Sequence, residues 1–70
     1  MSNAEKIDLI LKKRNITYTE LASRLGMSKQ NLYKKLRRKS IPESELIRIA
    51  EELDCTYESN FILNDTGEKI

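Results

Sequence analysis

The 70-residue chain has no histidine, no tryptophan and one cysteine, and these absences remove most reaction chemistry at once. Without His it lacks the common general base and the imidazole ligand of a zinc knuckle. The lone Cys55 has no partner for an internal disulfide and reads as a small hydrophobe near a helix end, not as a nucleophile. No enzymatic activity, metal or cofactor is therefore expected. Apolar runs are equally scarce: none is longer than Leu9-Ile10-Leu11, and the mean hydropathy is −0.61. Neither a membrane-spanning helix nor a signal-peptide core is expected, and the chain reads as a cytoplasmic protein. With 39 % of residues apolar, the length allows one small domain over residues 1–70, and no small-molecule ligand is expected in so short a chain.

What is present is charge, unevenly placed. The formal net charge is only +2, but Lys12 to Lys39 holds ten basic residues against the single acid Glu20, a segment of +9. Ser40 to Ile70 carries −6, and Met1 to Leu11 carries −1. A basic middle between acidic flanks points to one surface built for an anion.

Periodicity and caps divide the chain into four helices. The first is expected over about residues 4–14, where Ile7, Ile10 and Leu11 recur at helical spacing, Ser2 or Asn3 opens it, and Lys12, Lys13 and Arg14 sit at the negative end of the dipole before Asn15. Thr17-Tyr18-Thr19-Glu20 has capping-box spacing and predicts a second helix over about 18–25, with Leu21, Ala22 and Leu25 buried and Gly26 closing it. Ser28 caps a third helix over about 29–38 whose apolar stripe is only Leu32 and Leu36. Pro42, Glu43 and Glu45 open a fourth over about 43–53, with Leu46, Ile49, Ala50 and Leu53 on one face.

From Cys55 the period changes to two. A strand is expected over about 57–63, Asn64-Asp65-Thr66-Gly67 is a turn signal, and Glu68 to Ile70 is available as a short returning hairpin arm. An unpaired edge bearing Phe61 and Ile62 invites pairing. Its most economical partner is the same strand of a second chain about a two-fold axis, with Tyr57, Phe61, Ile62 and Leu63 as dimerisation candidates; the alternative is a lid on the helical core.

Two short helices joined through Gly26-Met27-Ser28, the second with a cationic free face, describe a helix-turn-helix. Ala22 permits close crossing, and Leu25, Met27 and Leu32 lock the pair. The stretch Thr17-Tyr18-Thr19-Glu20-Leu21-Ala22-Ser23-Arg24-Leu25-Gly26-Met27-Ser28-Lys29-Gln30-Asn31-Leu32, followed by Ile41-Pro42 and Leu46-Ile49-Ala50-Leu53, resembles the phage lambda repressor-like (Cro/cI-type, xenobiotic-response-element) helix-turn-helix domains. The resemblance covers roughly Ile7 to Asp54. It implies a mainly α, compact four- or five-helix bundle, sequence-specific binding of double-stranded DNA, and a homodimer on a near-palindromic operator.

Carried over position by position, the base-reading sites fall at Lys29, Gln30, Tyr33 and Lys34, with Arg37 toward the far end of the helix. Their chemistry fits: Gln pairs with adenine, Lys donates to guanine, and a tyrosine ring packs on a thymine methyl. Ser28, Asn31, Arg38 and Lys39, with Thr17 or Thr19, suit phosphates. The chain departs from the common pattern at Lys35 and Leu36, where an apolar residue and then an acid are usual, and in replacing a fifth helix by strand-like sequence. The resulting expectation is a DNA-binding transcriptional regulator, repressor-like, with a protein-interaction module on the same fold (antitoxin or anti-repressor) as the alternative.

Overall fold

The computed structural model describes residues 2–38, 40–58 and 60–70. The chain begins with a reciprocal cap: Ser2 Oγ accepts from the Glu5 amide at 3.1 Å, and Glu5 Oε1 accepts from the Ser2 amide at 3.3 Å. Helix α1 (Asn3–Arg14) follows and buries Ile7, Ile10 and Leu11. It ends at Asn15, whose φ of 57° lets the Ile16 amide turn back to Leu11 O at 2.9 Å.

Helix α2 (Tyr18–Arg24) is capped by Thr17, which accepts from the Glu20 amide at 3.1 Å. Only this half of the expected capping box forms. The Glu20 carboxylate turns outward instead and accepts from Arg24 Nη2 at 2.9 Å, one helical turn away, where it gains a charged partner. At the other end Gly26, with φ of 71°, permits both closing bonds, Gly26 N–H to Ser23 O and Met27 N–H to Ala22 O, each at 3.0 Å.

Helix α3 (Lys29–Leu36) is capped by Ser28 and stops two residues short of the expected end at 38. Arg37 is its C-cap, and the Arg38 amide reaches only three residues back, to Lys35 O at 3.4 Å. Ile41 then precedes Pro42, which disfavours helical backbone before it. Pro42 stands outside the next helix, as the N-cap of α4 (Glu43–Glu52), which buries Leu46, Ile49 and Ala50.

The single strand expected over 57–63 is corrected to a hairpin of β1 (Cys55–Tyr57) and β2 (Phe61–Leu63), antiparallel, with Cys55 opposite Leu63 and Tyr57 opposite Phe61. In one strand Tyr57 and Phe61 would share a face; here they are cross-strand partners, their rings edge to face at 5.2 Å. The polar Glu58 and Asn60 flank the turn, bonded at 2.6 Å from Glu58 N–H to Asn60 O. Glu68 to Ile70 does return along the other side of β2, with reciprocal bonds between Phe61 and Ile70 at 2.9 and 2.7 Å. Phe61 and Leu63 are buried in the chain's own core with Cys55 and Leu53, as a lid on the helical core would place them.

The elements are also tied by arginines. Arg24 of α2 donates to Glu52 O at 2.9 Å, and Arg48 of α4 donates to Leu25 O at 3.2 Å, so each helix supplies a cation to the negative end of the other. Arg14 fastens α1 to the hairpin, with Nη1 on Asp65 at 2.6 Å and Nη2 on Asp54 O at 3.0 Å. Among the described residues, no helix is long and apolar enough to cross a membrane.

Candidate nucleic-acid interface

The bundle sorts the ten basic residues of the central segment into two groups. Five are held by acids: Lys12 on Asp8 (2.9 Å), Lys13 on Glu68 (3.2 Å), Arg14 on Asp65 (2.6 Å), Arg24 on Glu20 (2.9 Å) and Lys35 on Glu45 (2.7 Å). Lys29, Lys34, Arg37 and Arg38 are exposed and, among the described residues, have no ion-pair partner. Lys39 lies outside the described residues. The unpaired charge among the described residues of the segment thus lies along α3 and the two residues that follow it.

Helical geometry gathers these groups with the others expected to read bases. At about 100° per residue, Gln30, Tyr33, Lys34 and Arg37 fall within one arc of α3 roughly 100° wide, turned away from the buried Leu32 and Leu36. Gln30 and Lys34 are exposed, and Tyr33 is half-buried. Its ring packs against that of Tyr18 with centroids 5.1 Å apart, and Lys29 Nζ lies 5.7 Å from the centre of the same Tyr33 ring, within cation–π range.

Thr17, Thr19, Ser28 and Asn31 are exposed around the same end of α3 and the start of α2. The Thr17 and Ser28 hydroxyls accept cap bonds at 3.1 and 3.2 Å. Capping uses an oxygen lone pair and leaves the O–H able to donate, so each hydroxyl can cap a helix and bond an acceptor outside the protein. The dimerisation candidates are placed differently from one another: Phe61 and Leu63 are core residues, while Tyr57 and Ile62 are half-buried.

Two residues at this site carried no signal in the local pattern. Asp8 of α1 accepts from the Tyr18 hydroxyl at 2.6 Å, and Tyr18 in turn carries the Tyr33 ring. That bond, with Lys12 beside it, holds the Asp8 carboxyl below the usual carboxylate range. Burial, reinforced by Asp8, pushes the Tyr18 phenol well above its ordinary value, so it remains a donor. The contact joins residues ten apart in sequence on two helices, which neither a helical nor a strand period can show.

A second helix that buries two leucines and leaves its amide and cations outward, braced by a first helix through a Gly turn, is the working part of a helix-turn-helix DNA-binding domain. The chain belongs to the family of Cro/C1-type HTH DNA-binding domains, whose match spans residues 6–59. Searches of curated proteins and of solved structures each returned no match. The family span takes in most of α1 and all of α2, α3, α4 and β1, and it ends before β2.

Proposed function

We propose that this protein is a sequence-specific transcriptional regulator, repressor-like, that lays α3 in the major groove of a double-stranded DNA operator. The observation that carries the reading is the segregation of unpaired cations and Gln30 onto α3 and the two residues after it, while the other described basic side chains of the segment are paired with acids. The major groove, about 12 Å wide, admits one helix about 10–12 Å across. Lys29, Gln30, Tyr33 and Lys34 meet base edges, with Arg37 at the far end of the reading face. Thr17, Thr19, Ser28, Asn31, Arg38 and Lys39 meet phosphates and set register. Such a protein works in the cytoplasm as a homodimer on a near-palindromic site, because an isolated half-site gives one short helix little to read.

The test is selection of bound duplexes from a random DNA pool at about 0.15 M salt. Enrichment of an inverted repeat with half-sites about one helical turn, roughly 10 bp, apart supports operator reading by a symmetric dimer. Gln30→Ala then relaxes the base preference, whereas Arg38→Ala weakens all duplexes alike and lowers the salt slope by about 1 per protomer. Retention without enrichment refutes sequence reading and favours a protein-interaction module on the same fold.

A further inference from the structure

Tyr33 is the aromatic residue on the reading arc of α3, and α3 alone does not set its ring. The ring lies 5.1 Å from that of Tyr18 at an interplanar angle of 36°, and Lys29 Nζ stands 5.7 Å from its centroid. Tyr18 is held from behind by the 2.6 Å bond from its hydroxyl to Asp8 Oδ1. The other carboxylate oxygen, Asp8 Oδ2, takes Lys12 Nζ at 2.9 Å. A continuous chain of contacts therefore runs from α1 through the first residue of α2 to two side chains of α3.

We propose that Asp8 and Tyr18 are positioning residues of the DNA interface, which fix the tilt of the Tyr33 ring and, through it, the height of the Lys29 ammonium. The inference rests on the sequence-reading function above. A short, charge-assisted bond pins the far end of the Tyr18 ring, which otherwise turns freely about its side-chain torsions. Ring-on-ring packing transmits that orientation to Tyr33, and the cation–π contact transmits it to Lys29. An acid bordering a phosphate-facing surface opposes binding unless it is engaged. Both oxygens of Asp8 are engaged, one by Tyr18 of α2 and the other by Lys12 of α1 itself. Base choice at the Tyr33 and Lys29 positions is thereby adjusted from a helix that reads no base itself.

The test uses the full chain and the best duplex recovered from the random pool by the wild type, together with each of its single-base variants. Tyr33→Ala first identifies which base pairs depend on that ring. Tyr18→Phe and Asp8→Ala are expected to lower discrimination at those same base pairs by about three- to tenfold, with binding to a scrambled duplex unaltered in Tyr18→Phe and no weaker in Asp8→Ala, which loses an acid. Asp8→Asn, whose amide oxygen still accepts from the Tyr18 hydroxyl, restores the preference, and Lys12→Ala retains it. Tyr18→Phe removes one oxygen and keeps the half-buried ring, so its far-UV spectrum stays that of the wild type. Discrimination unchanged in both Tyr18→Phe and Asp8→Ala, or affinity lowered by one factor for every duplex, overturns the positioning role and leaves the DNA reading standing. A wild-type chain that enriches no sequence overturns both.

Discussion

Replacing Gly26 by alanine isolates the conformational cost of the turn between α2 and α3. Its φ is +71°, and an ideal Cβ built there meets no heavy atom within 4 Å, so the substitution adds no clash and creates no cavity. What remains is the penalty for an L-residue in left-handed backbone, about 1–2 kcal/mol. The narrower unfolded ensemble of alanine offsets part of this, about 0.4–1 kcal/mol. The net expectation is a loss of about 0.5–1.5 kcal/mol. In urea, with a slope near 1 kcal/mol/M for so small a domain, the unfolding midpoint followed by far-UV circular dichroism falls by about 0.5–1.5 M. Gly26→Asn falls less, because Asn tolerates this region, and Gly26→Val falls more, because a β-branched side chain does not. Gly67, with φ of +76° and equally open space, is the control: Gly67→Ala costs a similar amount at a turn remote from the helix pair. A Gly26→Ala midpoint equal to or above the wild type, or Val tolerated as well as Asn, refutes the reasoning.

Phe61 is fully buried, so Phe61→Ala costs about 3–5 kcal/mol against a total of about 4–10 for 70 residues; a urea midpoint lowered by less than about 1 M contradicts its role as the hairpin's anchor. Asp65, held low by the Arg14 hydrogen bond, and Asp8, held low by Tyr18 and Lys12, have folded pKa values below their unfolded ones. Their stabilisation is therefore present above the unfolded carboxylate range and is lost as pH falls through the folded values: the urea midpoint at about pH 3 lies below that at about pH 7, and Asp65→Asn narrows the gap. Equal midpoints at the two pH values argue against both pairs. Cys55 is buried, donates to Leu53 O at 3.3 Å and has its thiol pKa raised chiefly by burial. A thiol reagent at about pH 8 should label it only as fast as the chain opens, accelerating with urea, and a rapid full burst without denaturant contradicts that burial.

The helices were legible because their signals are local. The apolar spacing of Ile7, Ile10 and Leu11 and of Leu46, Ile49 and Ala50 marks the buried faces, and Thr17, Ser28, Asn15 and Gly26 close or open helices by bonds spanning three to five residues. The family's helix-turn-helix could be read from those same positions. The ends are less exact, as at Arg37 and Arg38, which the expectation puts inside α3 and the structure puts after it, with Arg37 as the C-cap. The hairpin is hidden from the sequence for a different reason. Alternation from Tyr57 to Leu63 is compatible with one strand or with two facing arms, and the choice depends on the Tyr57 ring meeting Phe61 and on the core accepting Phe61 and Leu63, both non-local facts.

The candidate site shows the same division more sharply, in its charges. Lys12 with Asp8 and Arg24 with Glu20 are four residues apart on one helix and can be inferred from spacing alone. Lys13, Arg14 and Lys35 are answered by Glu68, Asp65 and Glu45, acids of the C-terminal half that the linear charge map assigns to a separate flank. Folding brings that flank against Lys13 and Arg14 of α1 and against Lys35, which lies on the side of α3 away from the reading arc. The +9 of the segment therefore overstates the surface available to an anion, and the overall +2 understates how concentrated it is. Once the five paired cations are set aside, the described basic residues of the segment that remain are Lys29, Lys34, Arg37 and Arg38, on and just beyond the helix whose free arc also carries Gln30 and Tyr33. Attraction and base reading then act at one place, so the charge that draws the chain to DNA also brings its reading side chains to the groove.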